Sequence, residues 1–313
     1  MYFSTEVPSS FGHSFQTPIE ITIPLVDKGM VYQGNTMKIV VPESPLAEGS
    51  VKIIPLSGVQ NFSDWQDFEN AEAYQLIQRV VQVWETKGIT DYLVYGKQSN
   101  DSTFDWEVVP YPKEGCRLWK QFKVLWNITF GGSPLSQIER DRVIKIFKDT
   151  NAFSESEIQR IEAIENIALK DDAFCNPKVI DKQLVFEGRN INVLYNYAPI
   201  ENKQHYLLTT KEHRSRFSEL TDAEYLETMQ LSQRLVEKHD GCTAYLFHKT
   251  GIEAGQTVLH WHEHLVFTAT KTQDLIGKLI VLKNMLFGSS PLPEVELKSD
   301  VESLRLDMQE VLK

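Results

Sequence analysis

Cysteine is scarce in this chain: its 313 residues include only Cys116, Cys175 and Cys242, widely spaced and without a CxxC pair. An odd, scattered set excludes a disulfide framework and gives no zinc-knuckle spacing, so the thiols read as reduced. Long apolar runs are also missing, and no stretch approaches the roughly 18 residues of a membrane span. The first residues, Met1-Tyr-Phe-Ser-Thr-Glu-Val-Pro, have neither a basic n-region nor an apolar h-region. Basic residues are outnumbered, with 32 Lys and Arg against 43 Asp and Glu, for a formal charge of −11. That balance excludes a general electrostatic grip on nucleic acid polymers or anionic membranes, and leaves room for one locally positive pocket. These absences lead us to expect a cytoplasmic protein with no membrane contact. What is present is ordinary for a globular chain, 42% apolar and 24% charged residues, in about twice the length of a typical single domain.

The chain is written twice. Val26-Asp-Lys-Gly-Met-Val-Tyr-Gln-Gly34 lies over Ile180-Asp-Lys-Gln-Leu-Val-Phe-Glu-Gly188 at an offset of 154, with four of nine positions identical. Val124-Leu-Trp-Asn-Ile-Thr-Phe-Gly-Gly-Ser-Pro-Leu135 lies over Val281-Leu-Lys-Asn-Met-Leu-Phe-Gly-Ser-Ser-Pro-Leu292 at 157, with eight of twelve identical. Pro45, Phe62 and Trp106 find Pro199, Phe217 and Trp261 at offsets of 154, 155 and 155. Chance similarity does not hold an offset across separated blocks, so we read two copies. The expected division is 20–150, a connector at 151–173, and 174–313 with a helical tail.

Each copy has the same order of patterns. Strand-like runs come first, Lys38–Val41 and Val51–Ile54, then Ile191–Tyr195 and His205–Thr209. A helix follows. In the second copy Thr221-Asp-Ala-Glu224 is a capping box opening a helix to about Lys238. In the first, helical spacing predicts a helix over Ala73–Lys87, stopped by Gly88. Two more strands close each unit: Tyr92–Tyr95 with Phe104–Val109, and Ala244–His248 with Val258–Phe267. The stretch Ser136–Asp172 is helical in tone at Ile138–Ile146 and Ile158–Ile167. The expected class is α+β, each unit an antiparallel sheet with one crossing helix.

Histidine is distributed unevenly. Seven of eight lie in the second copy, and residues 20–150 have none. Three alternate in His260-Trp-His262-Glu-His264, which on a strand puts all three on one face with Gln256, Val258 and Val266. Trp261, Leu265 and Phe267 take the other face, under the helix, with Glu263 reaching its edge. A purely structural stripe would need hydrogen-bond partners for three buried imidazoles. One metal ion cannot be gripped by all three, because they spread over about 13 Å of strand. Two of them could bind a metal with His205 or His248, and a His-based catalytic site is the other possibility.

The preceding phrase, Gly251-Ile-Glu-Ala-Gly255-Gln256-Thr257-Val258-Leu-His260-Trp-His262-Glu-His264, closely resembles the signature of the histidine-triad (HIT) superfamily of nucleotide hydrolases and transferases. Asn196-Tyr-Ala-Pro199 followed by His205 is similar to the family's ribose-side stretch. Two departures stand out: Glu263 replaces an apolar residue, and one extra residue separates Pro199 from His205. The resemblance implies that His262 attacks the α-phosphorus and carries a nucleotidyl intermediate. It implies that His264 binds the phosphate and delivers a proton, that His260 orients the array, and that Gln256 reaches the scissile oxygen. Gly255 and Thr257 would offer amides to the phosphate, Asn196 would contact ribose, and His205 would support the triad. No cofactor and no metal are expected. The partner is a small nucleotide, and the chain a monomeric pseudo-dimer or a homodimer. Neutral imidazole, with a reference pKa of about 6.5, suits this nucleophilic role on chemical grounds alone.

In the first copy Asp105-Trp-Glu107-Val-Val109 lies over the triad, and Ser50 over His205. No nucleotidyl-histidine can form there, and the remaining role open to Asp105 and Glu107 is to wall the live pocket. The resemblance extends to the galactose-1-phosphate uridylyltransferase branch, whose tandem units pair within one chain. Hydrolysis is the favoured reaction, because family transferases and phosphorylases carry Gln where this chain has His264. Nucleotidyl transfer or dinucleoside-polyphosphate phosphorolysis is the alternative, and a non-catalytic nucleotide-binding scaffold the alternative of another class. Lys211 and Lys249 are expected in solvent, and His213, His239 and His248 on the surface or in packing.

Overall fold

The computed structural model describes residues 29–99, 102–150, 153, 172–268, 283–284 and 288–312. The expected helix at 158–167, nearly all of the connector, and residues 281–282 and 285–287 of the second long repeat block lie outside these. The first half runs β1 (Met30–Gln33), β2 (Met37–Val40), β3 (Val51–Pro55), α1 (Asp67–Thr86), β4 (Tyr92–Gln98), β5 (Trp106–Pro110), α2 (Arg117–Phe130) and α3 (Gln137–Asp149). The second runs α4 (Pro177–Gln183), β6 (Leu184–Glu187), β7 (Ile191–Tyr195), β8 (His205–Thr210), α5 (Asp222–Lys238), β9 (Thr243–Thr250), β10 (His262–Thr268) and α6 (Glu294–Val311).

All ten strands form one antiparallel sheet in the order β1-β2-β3-β5-β4-β9-β10-β8-β7-β6. Read from its centre outward, each side gives the same sequence of strands, so the two units meet at β4 and β9. Seven residue pairs join them there, from Tyr92 opposite Thr250 to Gln98 opposite Ala244. The fold class is therefore α+β with two tandem units paired inside one chain. The repetition reaches single side chains. Glu72 of α1 accepts from the amides of Asn35 (2.7 Å) and Thr36 (2.6 Å), and Glu227 of α5 accepts from those of Arg189 (2.5 Å) and Asn190 (2.8 Å). Each glutamate clamps the first hairpin turn of its own unit.

Strand alternation explains where the core lies. Met37 and Ile39, then Val51 and Ile53, are buried, while Lys38 and Lys52 between them are half-buried. Helices α1 and α5 cover one sheet face side by side, with the rings of Tyr74 and Tyr225 stacked at 4.5 Å. Fully burying such a large side chain stabilises by about 1.5–3 kcal/mol. The opposite face carries a smaller apolar cluster that includes Leu46, Tyr95, Val109, Val124, Phe247 and Val266.

Helix α5 occupies the span its capping box predicts. Helix α1 begins six residues before the expected start, because the Glu69 carboxylate caps the amide of Gln66 at 2.8 Å. Glutamine is a weak N-cap signal, so the pattern alone did not reveal it. Strand β10 begins at His262, later than the expected Val258. Residues 258–261 leave the ladder, with the Trp261 amide donating to the Arg214 carbonyl at 2.5 Å.

Candidate active site

Only His262 and His264 of the three histidines share a strand face with Val266. His260 lies just outside β10, fully buried, and is held by groups from two other segments. Its Nδ1 donates to Asp172 Oδ2 at 2.8 Å, and its Nε2 faces the Thr210 carbonyl at 2.9 Å and Oγ1 at 3.1 Å. With its side chain fixed, His260 presents its carbonyl to His262. The His262 Nδ1–H donates to that oxygen at 2.7 Å. A carbonyl only accepts, so the proton sits on Nδ1 and Nε2 keeps its lone pair. His262 is half-buried, and its pKa is lowered to about 4, first by burial and then by the charges of His260 and Lys249.

A second relay fixes His264. The Ile200 amide donates to His205 Nδ1 at 3.1 Å, so His205 Nε2 carries the ring proton. That nitrogen lies 3.0 Å from His264 Nδ1 and donates to it, leaving the His264 proton on Nε2. His205 is nearly fully buried and lowered to about 3, by burial and by His262. His264 is likewise driven well below the usual imidazole range, by burial and then by its imidazole and lysine neighbours. Its ring stacks on Phe247 with centroids 4.6 Å apart. The two triad rings lie 4.9 Å apart, one with a free lone pair and the other with a free N–H. Asn196 Nδ2 lies 3.2 Å from His205 Nδ1, and its Oδ1 accepts from the Ala198 amide at 3.0 Å.

The glycine loop departs from expectation. The Gly255 amide donates to Ile252 O (3.0 Å) and the Gln256 amide to Gly251 O (3.1 Å), so both are turned into the loop. The Gln256 side chain accepts from the Gly251 amide (2.8 Å) and donates to Ser215 O (3.1 Å), which makes it a loop brace in this conformation. Thr257 alone of the three is exposed. Glu263 also differs. It is buried under α5 rather than reaching an edge, accepts from Ser232 Oγ at 2.9 Å, and burial pushes its carboxyl up to about 8.

Lys249 is not a solvent lysine. Strand alternation puts it on the triad face of β9, two residues beyond Phe247, which pairs with His264. It is half-buried, burial lowers it to about 8, and among the described residues its ammonium has no carboxylate partner. Phe174 closes another side, its ring 5.1 Å from His262. His248 points the other way, buried and stacked on Phe217 at 4.7 Å. His239 packs on Phe267, and Lys211 pairs with Glu187 at 2.8 Å. Glu107 shares the triad face through the register His264–Phe247–Tyr95–Glu107, three strands or about 14 Å away. It is buried, its carboxylate accepts from the Leu46 amide at 2.7 Å, and Asp105 pairs with Lys52 at 2.9 Å. Neither acid walls the triad.

Behind His260 lies a group that sequence reading missed. One ligand atom from each of Asp172, Cys175, His213 and His260 lies within 4.8 Å of the others. Cys175 Sγ is 3.2 Å from Asp172 Oδ2, 3.7 Å from His213 Nδ1 and 3.6 Å from His260 Nδ1. His213 is thus part of a half-buried cluster and not a surface histidine. Burial works against the Asp172 charge, but hydrogen bonds from its neighbours, His260 first, hold its carboxyl well below the ordinary range. One thiol, two imidazoles and one carboxylate fit a tetrahedral zinc-type ion, with protons leaving as it binds. Such an ion would fix His260 from behind and not reach the open side of His262. The sequence signal was Asp172-x-x-Cys175, a ligand spacing with carboxylate in place of one thiol.

No curated protein matches the chain. Among solved structures it is similar to a uridylyltransferase, at 12% identity over 95% of this chain and 94% of that one, TM-score 0.49. It is also similar to a GalT-like protein from Arabidopsis thaliana, at 11% identity over 86% and 83% of the two chains, TM-score 0.47. An ADP-glucose phosphorylase from Arabidopsis thaliana, with bound ADP-glucose, is similar at 11% identity over 86% and 80%, TM-score 0.46. The family model for the HIT domain matches residues 177–271. That stretch holds β6 to β10 and the whole triad, so the similarity to the HIT domain lies in the second unit.

Proposed function

We propose that this protein is a nucleotide-processing enzyme that hydrolyses a nucleoside phosphoester or phosphoanhydride through His262. The observation that carries the reading is the 2.7 Å hydrogen bond from His262 Nδ1 to the His260 carbonyl, which reserves Nε2 as a neutral nucleophile. The Nε2 lone pair attacks the α-phosphorus and the bond to the leaving oxygen breaks. His264 donates a hydrogen bond from its Nε2–H to that oxygen, which departs as an anion, and the His205 relay holds the His264 tautomer. Water then attacks the phosphorus, the P–N bond to His262 breaks, the extra proton passes to solvent, and a nucleoside monophosphate is released. Lys249 offers the triad face a positive charge, which favours a substrate with further phosphate charge beyond the attacked group.

His262→Ala is expected to lower turnover by roughly 10³ or more with the fold intact, because several kcal/mol of barrier return when a nucleophile is lost. Intact-protein mass spectrometry of His264→Gln after nucleotide treatment is expected to trap a nucleotidyl adduct that the His262→Ala variant lacks. A second reading, transfer to another acceptor, is favoured by the pairing of two units in one sheet, the arrangement that the uridylyltransferase resemblance associates with transfer. Its first step is the same. Turnover that depends on added inorganic phosphate or sugar phosphate would select it. Nucleotide binding without turnover or adduct in the wild type would instead leave a scaffold.

A further inference from the structure

The loop from Gly251 to Gly255 is fastened mainly to the half of the chain that has no triad. Glu253 is gripped at three points: its amide donates to Asp91 Oδ2 (2.8 Å), its carbonyl accepts from Gln121 Nε2 (2.9 Å), and its carboxylate pairs with Lys120 Nζ (2.8 Å). The grips are themselves supported. Thr90 Oγ1 donates to Asp91 Oδ1 at 2.8 Å, and Lys120 also donates to the carbonyls of Pro112 and Glu114. Gly251 has φ of +85°, and a Cβ there would strike the Asp91 carboxylate. Ala254, 2% exposed, belongs to the apolar cluster of Leu93, Val109, Tyr111 and Val124. Val109 stands at the position that His264 holds in the second unit.

Past this clamp the loop meets the reactive groups. A Cβ on Gly255 would lie 3.2 Å from Gln121 Nε2 and 3.6 Å from Lys249 Nζ. Gln256, a few residues before the histidines, then ties the loop to Ser215. We infer that the first half serves catalysis as a positioning element: Asp91, Lys120 and Gln121 hold the Gly251–Gly255 loop where Lys249 and His262 need it. The exchange of a triad histidine for Val109 gives Ala254 an apolar seat, so the first unit has become a platform for the second. The inference rests on the reading of His262 as nucleophile. Each of the three is a positioning residue, acting through Glu253 and not on phosphorus.

The test uses the full chain carrying Asp91→Asn, Gln121→Ala, Lys120→Met or Lys120→Arg. The probe for turnover is the p-nitrophenyl ester of a nucleoside 5′-monophosphate, and hydrogen exchange is followed in the 251–257 peptide. Asp91→Asn, Gln121→Ala and Lys120→Met are expected to speed exchange in that peptide and lower kcat about tenfold, with KM and melting temperature little changed. Lys120→Arg is expected to restore most of kcat. Unchanged exchange in 251–257, or a loss of kcat that only follows a fall in folded fraction, overturns the inference. Absence of wild-type turnover and of any adduct on His262 overturns the nucleophile reading instead, and the exchange measurement still decides whether the clamp holds the loop.

Discussion

At the residue scale, the site depends on which imidazole nitrogen carries the proton, and backbone carbonyls and amides decide that. The proposed attack requires a neutral His262, and its pKa is lowered to about 4. The acid limb of kcat/KM is therefore expected near pH 4 and not near the reference value of about 6.5. Lys249, lowered to about 8, should set a basic limb there as its charge is lost. Lys249→Gln is expected to flatten the basic limb and lower kcat/KM about 10- to 100-fold, the worth of one charge-assisted hydrogen bond. A pH–rate profile of both proteins checks this, and an unmoved basic limb in the variant counts against the lysine. Glu263 behaves oppositely. Its folded pKa of about 8 lies above the ordinary 4.5, so its contribution to stability is complete below about 4.5 and lost as pH rises through 8. The stability of wild type relative to Glu263→Gln should fall across that window by up to about 1.4 kcal/mol per pH unit. Urea unfolding at pH 5 and pH 8 measures it, and parallel curves would refute the assignment.

At the scale of elements, the turn bearing Asp172 and Cys175 braces His260, which in turn sets His262. Burial and the adjacent Asp172 push the Cys175 thiol up to about 12, so the metal-free cluster is held by protons. The donor set predicts that zinc replaces them and raises the melting temperature of chelator-treated wild type but not of Cys175→Ala. At 100-fold excess over Kd the gain is about 2.7 kcal/mol. Thermal melts with and without zinc, together with metal analysis of the purified protein, check the outcome. Zinc that leaves wild type unmoved would mean the cluster works through hydrogen bonds alone. The capping box of Thr221 and Glu224 was readable because both residues are local and strongly typed. The quartet was not, because only Asp172 and Cys175 are neighbours, and His213 and His260 join them from distant segments through the fold.

At the scale of the molecule, the two units share one sheet. Strand β9 carries Phe247 and Leu246 at the junction, opposite Tyr95 and Gly96 of β4. Removing the first half would leave β9 as an open apolar edge, the surface that drives strand pairing between molecules. The full chain is expected to unfold in one cooperative calorimetric transition, and residues 172–313 alone to aggregate or lose activity. An isolated second half that stays monomeric with the full chain's melting temperature and kcat would show that the shared sheet is dispensable.

The sequence alone determined the duplication, four strands and the crossing helix of each unit, the α+β class, and the run of alternating histidines. Each of these rests on local spacing or on residues repeated at a fixed offset, so neighbours along the chain specify them. The elements β1, β6, α2 and α4 appeared only in the structure. Only the tertiary structure decided that His260 leaves the strand, that Gln256 and the loop amides turn inward, and that Lys249 joins the triad face. The same holds for Asp172, Cys175 and His213 gathering behind His260, and for Asp91, Lys120 and Gln121 reaching across to Glu253. These are relations between segments separated by dozens of residues or more. Strand register and helix docking set their distances, and a one-dimensional pattern carries no record of either.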